Sequence, residues 1–126
     1  MKHAITTNAA PAAIGPYSQA VKSGELLFFS GQIPIDPASG ELVTGSITAQ
    51  AEQVLDNVSA LLAAAGLTCA NVVKTTIYLT DLGDFATVND IYARYFSAPA
   101  PARACVQVAA LPKGCAIEIE GIASYA

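Results

Sequence analysis

The chain has 126 residues, 53% apolar and 13% charged, with six Lys and Arg against ten Asp and Glu for a formal charge of -4; a chain of that length and apolar content buries a core, which excludes disorder as the default state. A pI near 4.6, with Lys2, Lys22, Lys74, Arg94, Arg103 and Lys113 scattered along the chain, leaves no basic footprint and excludes nucleic acid as the expected partner. Residues 1–8 lack a signal peptide's apolar stretch and nothing later reaches the ~18 apolar residues of a membrane span, so no membrane contact and a cytoplasmic location are expected.

In chain order, the first residues read as a fraying end, which makes His3, the single histidine, a surface residue. Ser18 to Lys22 and Leu26 to Gln32 read as a hairpin across Ser23-Gly24-Glu25, and Asp36-Pro37-Ala38-Ser39-Gly40 as a turn. Ile47, Ala51, Val54, Leu55, Val58, Leu61, Leu62 and Ala65 recur in steps of three and four, which predicts a helix closed by Gly66 in the left-handed conformation. Val73 to Leu79 is β-branched and aromatic with period two, a strand.

Asp84 then reads as the cap of a second helix through Phe85, Val88, Ile91, Tyr92, Tyr95 and Phe96, whose aromatic residues are expected in the core. Pro99 and Pro101 end it, because proline has no donor and constrains its predecessor. Arg103 to Ala109 and Ala116 to Ala123 read as strands joined by Leu111-Pro112-Lys113-Gly114 into an antiparallel hairpin. No repeat or linker divides the chain. Residues 1–126 are therefore expected to form a single α+β domain, two helices packed on one face of a mostly antiparallel sheet.

The apolar surplus points to a covered subunit interface and hence to an oligomer. In the last strand Ile117 and Ile119 point to one face and Glu118 and Glu120 to the other. The isoleucines are expected to meet the helices, which leaves the glutamates on the face an oligomer would cover, where a carboxylate needs a partner or a task. Cys69, Cys105 and Cys115 are odd in number and lack C-x-x-C spacing, which suits a reducing compartment and supports neither a disulfide framework nor a metal site. Cys69 and Cys115 read as structural.

Arg103 is the most informative residue. The preceding Pro99-Ala100-Pro101-Ala102 holds the backbone extended and limits where the side chain points. A planar guanidinium suits a carboxylate, with two charge-assisted hydrogen bonds worth ~1.5 to 3 kcal/mol each, a geometry Lys cannot reproduce. The same residues allow a structural salt bridge to Glu120 or Glu118. Tyr17 after Gly15-Pro16 reads as an aromatic packed on a turn, and Ser30-Gly31 as a strand bulge. Asn89, between Val88 and Ile91, either tethers a loop or meets a substrate.

The run Pro101-Ala102-Arg103-Ala104-Cys105-Val106-Gln107-Val108-Ala109-Ala110-Leu111-Pro112, followed by Ile117-Glu118-Ile119-Glu120, closely resembles the C-terminal signature of the RidA/YjgF family of enamine/imine deaminases. Further blocks are similar in the same order: Ala13-Ile14-Gly15-Pro16-Tyr17-Ser18-Gln19-Ala20, Ser30-Gly31-Gln32-Ile33-Pro34, Leu55-Asp56-Asn57-Val58, and Val73-Lys74-Thr75-Thr76 with Asp84-Phe85-Ala86-Thr87-Val88-Asn89. The resemblance implies a chorismate-mutase-like fold assembled as a homotrimer through its sheets, with helices outside and a cleft between each pair of neighbouring subunits. It implies hydrolysis of short 2-imino acids, 2-iminobutanoate and 2-iminopropanoate, to 2-oxo acids and ammonia, with neither metal nor organic cofactor.

By the same resemblance Arg103 is similar to the arginine that grips the substrate carboxylate, and Glu120 to the acid that orients the attacking water. Tyr17 would donate or relay a proton. Ser30, Gly31, Asn89 and Cys105 would line the pocket, Gly31 and Cys105 mainly through backbone. Only Ser97-Ala98-Pro99-Ala100 leads into the signature, and Ala100 holds a place where relatives commonly carry an aromatic residue, which removes one expected wall. The alternative is a non-catalytic trimeric sensor of small 2-oxo or amino acids in the same cleft. Ribonuclease and holdase roles have also been attached to relatives, and the acidic pI argues against the nuclease.

Overall fold

Alternating strands and two amphipathic stretches sort this chain into two layers, described over residues 1–126 by a computed structural model. The elements are β1 (Lys2–Ile5), β2 (Ala20–Ser23), β3 (Leu26–Gln32), α1 (Ile47–Ala64), β4 (Val72–Leu79), α2 (Phe85–Tyr95), β5 (Ala102–Gln107) and β6 (Ile117–Ser124). They form one six-stranded sheet in the order β1-β2-β3-β6-β4-β5. Every pairing is antiparallel except β4 with β5. Neither helix is long and apolar enough to cross a membrane.

The helix α1 begins where Ser46 accepts a hydrogen bond from the Ala49 N–H at 3.1 Å. At its other end Gly66 adopts φ +79°. That turn lets the Leu67 N–H donate to the Leu62 carbonyl and the Gly66 N–H to Ala63, so the last carbonyls are satisfied and Leu67 folds back into the core. Val54, Leu55, Val58, Leu61 and Leu62 are fully buried against Leu27, Ile77, Leu79, Ile117 and Ile119 of the sheet. Each such side chain contributes ~1.5 to 3 kcal/mol of transfer free energy. Gly121 belongs to this contact, because a Cβ there would collide with the Phe29 ring and the Lys74 carbonyl.

Four expectations are corrected. The first residues do not fray: β1 pairs with β2 from Lys2↔Ser23 to Ile5↔Ala20, and Ile5 packs on the core. The last two strands are not a hairpin. With Ile117 and Ile119 fully buried, β6 takes a central place between β3 and β4, while β5, mostly exposed, takes the outer edge of β4 in parallel. Asp84 makes no capping hydrogen bond through its side chain; Asp81 instead accepts from the Gly83 N–H at 2.8 Å and caps the short turn before α2. Of the α2 aromatics, Tyr92 and Phe96 are buried but Phe85 is exposed, because the edge strand β5 ends the layer there.

Both helices lie on one face of the sheet. The opposite face carries Phe28, Ile122, Thr76, Tyr78 and Val106 with Glu118 and Glu120, and no element of this chain covers it. Phe28 and Val106 are each 42% exposed there, a large cost for a solvated sheet.

Candidate functional site

A hollow of about 730 Å³ opens where β3 loses register with β6 between Phe29 and Gln32. Gly31 sits in that irregularity, and a Cβ on it would collide with the carboxyl of Glu118. The bulge reading of Ser30-Gly31 therefore describes the backbone, and the missing side chain is what lets a carboxyl lie against it. Glu118 and Glu120, two residues apart on β6, both line the hollow together with Tyr17, Ser30 and Lys113.

Buried amides fix its walls. Gln19 accepts from the Thr7 N–H at 2.8 Å and donates to the carbonyls of Thr7 and Pro11 at 3.0 and 2.7 Å, which ties the Pro11–Tyr17 wall to β2. Asn57 of α1 donates to the carbonyls of Ile33 and Ile35 at 3.2 and 2.9 Å and holds the opposite wall. Gln50 accepts from the Ala116 N–H at 2.9 Å and sets the entry of β6. Ser30 donates its hydroxyl to the Ser18 carbonyl at 2.6 Å, so only its lone pairs remain for a ligand. Tyr17 is half exposed, and its hydroxyl oxygen accepts from the Ile14 N–H at 3.4 Å, which leaves the phenolic proton free.

Burial raises the Glu118 carboxyl above the ordinary value of 4.5, and the neighbouring Glu120 charge pushes it the same way. Across the strand pair Tyr78 is raised too, by burial and then by Glu120. The hollow is thus a place where negative charge accumulates with no cation bonded to it.

Arg103 lies on the other side of the sheet. It pairs with Thr75, whose buried side chain points to the helices, whereas Glu120 pairs with Thr76 on the uncovered face. Its guanidinium carbon stands 5.0 Å from the Tyr92 ring centre and 5.5 Å from that of Phe85. The Tyr92 hydroxyl is fixed in turn by Thr75 at 2.7 Å. Arg103 has no carboxylate partner, the one ion pair of the chain being Arg94 with Glu52 at 3.0 Å, so the structural salt bridge to Glu118 or Glu120 does not form. Two aromatic faces hold the cation and leave its N–H edges free.

Phe85, Asn89 and Tyr92 follow at four- and three-residue steps along one face of α2. The Asn89 Oδ1 is buried without a hydrogen-bond partner, which costs about 1 to 3 kcal/mol unless a donor reaches it. Cys105 also faces the helices, opposite Ile77; burial raises its thiol and the nearby Arg103 charge lowers it in part. Cys115 is buried, and Cys69 lies beside the Ser59 hydroxyl at 3.5 Å. No group of three or more His, Cys, Asp or Glu side chains gathers as a metal site.

One chain therefore brings Tyr17, Ser30, Gly31 and Glu120 together and places Arg103, Asn89 and Cys105 elsewhere. Glu118 and Lys113 in the hollow, and Phe85 and Tyr92 beneath Arg103, were not singled out as site residues from sequence. The period-two signal that put Glu118 on the face of Glu120 was available; the aromatic ledge was hidden because helical spacing reads as core.

The chain matches the family model described as Endoribonuclease L-PSP over residues 7–125. It is 58% identical to the RutC family protein y4sK of Sinorhizobium fredii, over 95% of each chain. It is 56% identical to the 2-iminobutanoate/2-iminopropanoate deaminase of Bos taurus, over 94% of this chain and 87% of that one. Among solved structures, the conserved Rid family protein YyfA of Yersinia pestis, of unknown function, superposes with a TM-score of 0.96 at 51% identity, over 98% of this chain and 99% of that one.

Proposed function

The chain belongs to the RidA/YjgF family, and on that premise we propose that it hydrolyses short 2-imino acids such as 2-iminobutanoate and 2-iminopropanoate to 2-oxo acids and ammonia, as a homotrimer whose site is shared between copies. One observation carries the reading: a guanidinium with free N–H edges and a hollow of unpaired carboxyls lie on opposite faces of one sheet, so neither is complete in a single chain. Packing of the uncovered sheet faces would bury Phe28 and Val106 and carry the β5 rim of one copy to the Glu120 hollow of the next.

In that arrangement Arg103 takes the substrate carboxylate in its fork and sets the imine carbon over the hollow. Glu120 accepts a proton from a water as its oxygen attacks that carbon. The C=N electron pair moves to nitrogen, which takes up a proton to give a carbinolamine; Glu120 then returns its proton to that nitrogen as the C–N bond breaks, the hydroxyl gives up its proton to solvent as the C=O bond forms, and ammonia leaves. Asn89, with an acceptor to spare, offers a partner to a donor on the substrate or the neighbouring copy. Cys105 and Gly31 contribute backbone and room. No step calls for a redox change.

The test generates 2-iminobutanoate in situ with an amino-acid oxidase and follows its loss with wild type and Glu120→Gln. Wild type accelerates the loss; Glu120→Gln lowers kcat by roughly 10²-fold or more and still binds 2-oxobutanoate. A wild type that leaves spontaneous hydrolysis unchanged ends the deaminase reading, and full activity in Glu120→Gln would point to another base. Light scattering reporting a monomer ends the shared site.

A further inference from the structure

We propose, resting on the deaminase reading, that Lys113 is a further substrate-binding residue, the cation that admits an anionic 2-imino acid to a hollow that would otherwise repel it. Glu118 and Glu120 line that hollow, and Lys113 is the one cationic side chain of this chain that lines it with them. A 2-imino acid brings a further carboxylate into the same space, and a concave wall of one charge sign focuses its field on what enters. That field is felt locally: burial and then the Glu120 charge push both the Glu118 carboxyl and the Tyr78 hydroxyl upward. Arg103 of the same chain cannot offset it, because it lies across the sheet against Phe85 and Tyr92. Lys74, the other lysine near Glu120, lines a separate depression of about 210 Å³ on the uncovered face.

The backbone at Lys113 points to a task for its side chain. It is the one non-glycine residue with positive φ, +58°, and Gly114 follows at +72°. A β-carbon is strained in that conformation, whereas glycine is at ease. The turn Pro112–Gly114 that imposes it is anchored at both ends. Within it the Gly114 N–H donates to the Leu111 carbonyl at 3.1 Å and the Cys115 N–H to the Pro112 carbonyl at 3.3 Å. Beyond it Cys115 is buried, and the Ala116 N–H donates to the Gln50 side chain of α1 at 2.9 Å. Strain of this kind persists where the surroundings determine the conformation, and it collects at ligand sites.

From this fixed base the Lys113 stem carries an exposed ammonium that makes no ion pair, so its three donors are free for a ligand. An ammonium is a mobile point charge, whereas a guanidinium is a planar fork. The two cations therefore divide the work. Lys113 meets the substrate carboxylate as it enters and offsets the glutamates, and Arg103 from a second copy then fixes it for attack.

Lys113→Met removes the charge and keeps an apolar stem. At low ionic strength the KM for 2-iminobutanoate and the calorimetric Kd of 2-oxobutanoate both rise roughly three- to five-fold, while kcat stays within about two-fold. In about 1 M salt, where the screening length falls to ~3 Å, the difference from wild type closes. Lys113→Arg restores the low-salt values. Lys113→Gly shows the same rise and melts no lower than wild type, which separates loss of charge from loss of fold. Lys2→Met, which takes the same charge from the exposed end of β1, changes neither constant. An unchanged Kd in Lys113→Met, a rise that persists undiminished in high salt, or an equal rise in Lys2→Met overturns the assignment. Calorimetry needs no turnover, so the two readings fail separately: a wild type that binds 2-oxobutanoate without accelerating imine hydrolysis ends the deaminase reading, and the binding series alone decides Lys113.

Discussion

Where the Glu120 hollow is walled by segments that Gln19, Asn57 and Gln50 tie down through buried amides, the Arg103 ledge across the sheet has only two aromatic rings beneath a cation with no polar partner. The first is shaped before any ligand arrives, and its cost is the crowding of unpaired carboxyls. The second holds its charge by stacking, which fixes the plane of the guanidinium without occupying its donors. Each side lacks what the other presents. In the proposed assembly, a sheet that leaves one face uncovered is the feature that would let two copies combine them.

The largest way to break the comparison is to remove the cation. Arg103→Ala should lower kcat/KM by roughly 10² to 10³-fold, the loss expected when one partner of a charge-assisted carboxylate contact is truncated, with only a small fall in melting temperature, because the side chain has no ion pair to lose and stacks on two rings at the surface. The same comparison is sharpened by mixing. If the halves come from different copies, refolding Arg103→Ala with Glu120→Gln in equal amounts recovers about a quarter of wild-type activity, the share of interfaces in which both intact residues meet. No recovery would place the whole site in one chain.

Smaller effects separate what holds each half. Gln19→Ala removes four hydrogen bonds to one wall of the hollow and should cost about 1 to 3 kcal/mol of stability, read as a lower urea midpoint together with a raised KM. Phe85→Leu removes one ring beneath Arg103 and should raise KM by about two- to five-fold, the equivalent of an exposed cation–π contact of ~0.5 to 1 kcal/mol, with little change in kcat. Phe85→Tyr should restore it. A kcat loss in Phe85→Leu without a KM change would show that the ring does something other than hold the cation.

Much of this was legible in the chain. The three- and four-residue steps from Ile47 to Ala65 located α1, Gly66 its end, and the alternation at Ile117–Glu120 the two faces of β6, because these patterns depend only on the helix and strand repeats. The family signature picked out Arg103, Glu120 and Tyr17 by position. It did not distinguish their faces. The β5–β6 connection looked like a hairpin because loop length is a local property, whereas the place of a strand depends on which strand buries more, and β6 with its isoleucines takes the centre. Phe85 was read as core for a similar reason: periodicity reports a helix face, and only the neighbouring edge strand decides whether that face is covered.

By itself, then, the sequence determined both helices and most of the strands, the alternation that separates Ile117 and Ile119 from Glu118 and Glu120, and the choice of Arg103 and Glu120 as candidate cation and acid. The tertiary structure decided that this cation and this acid point away from each other, that Gly31 makes room for Glu118, and that two rings hold Arg103. The reason is that facing and proximity arise from strand order, register and what covers each layer, quantities set by contacts between residues far apart in the chain and encoded in no single stretch of it.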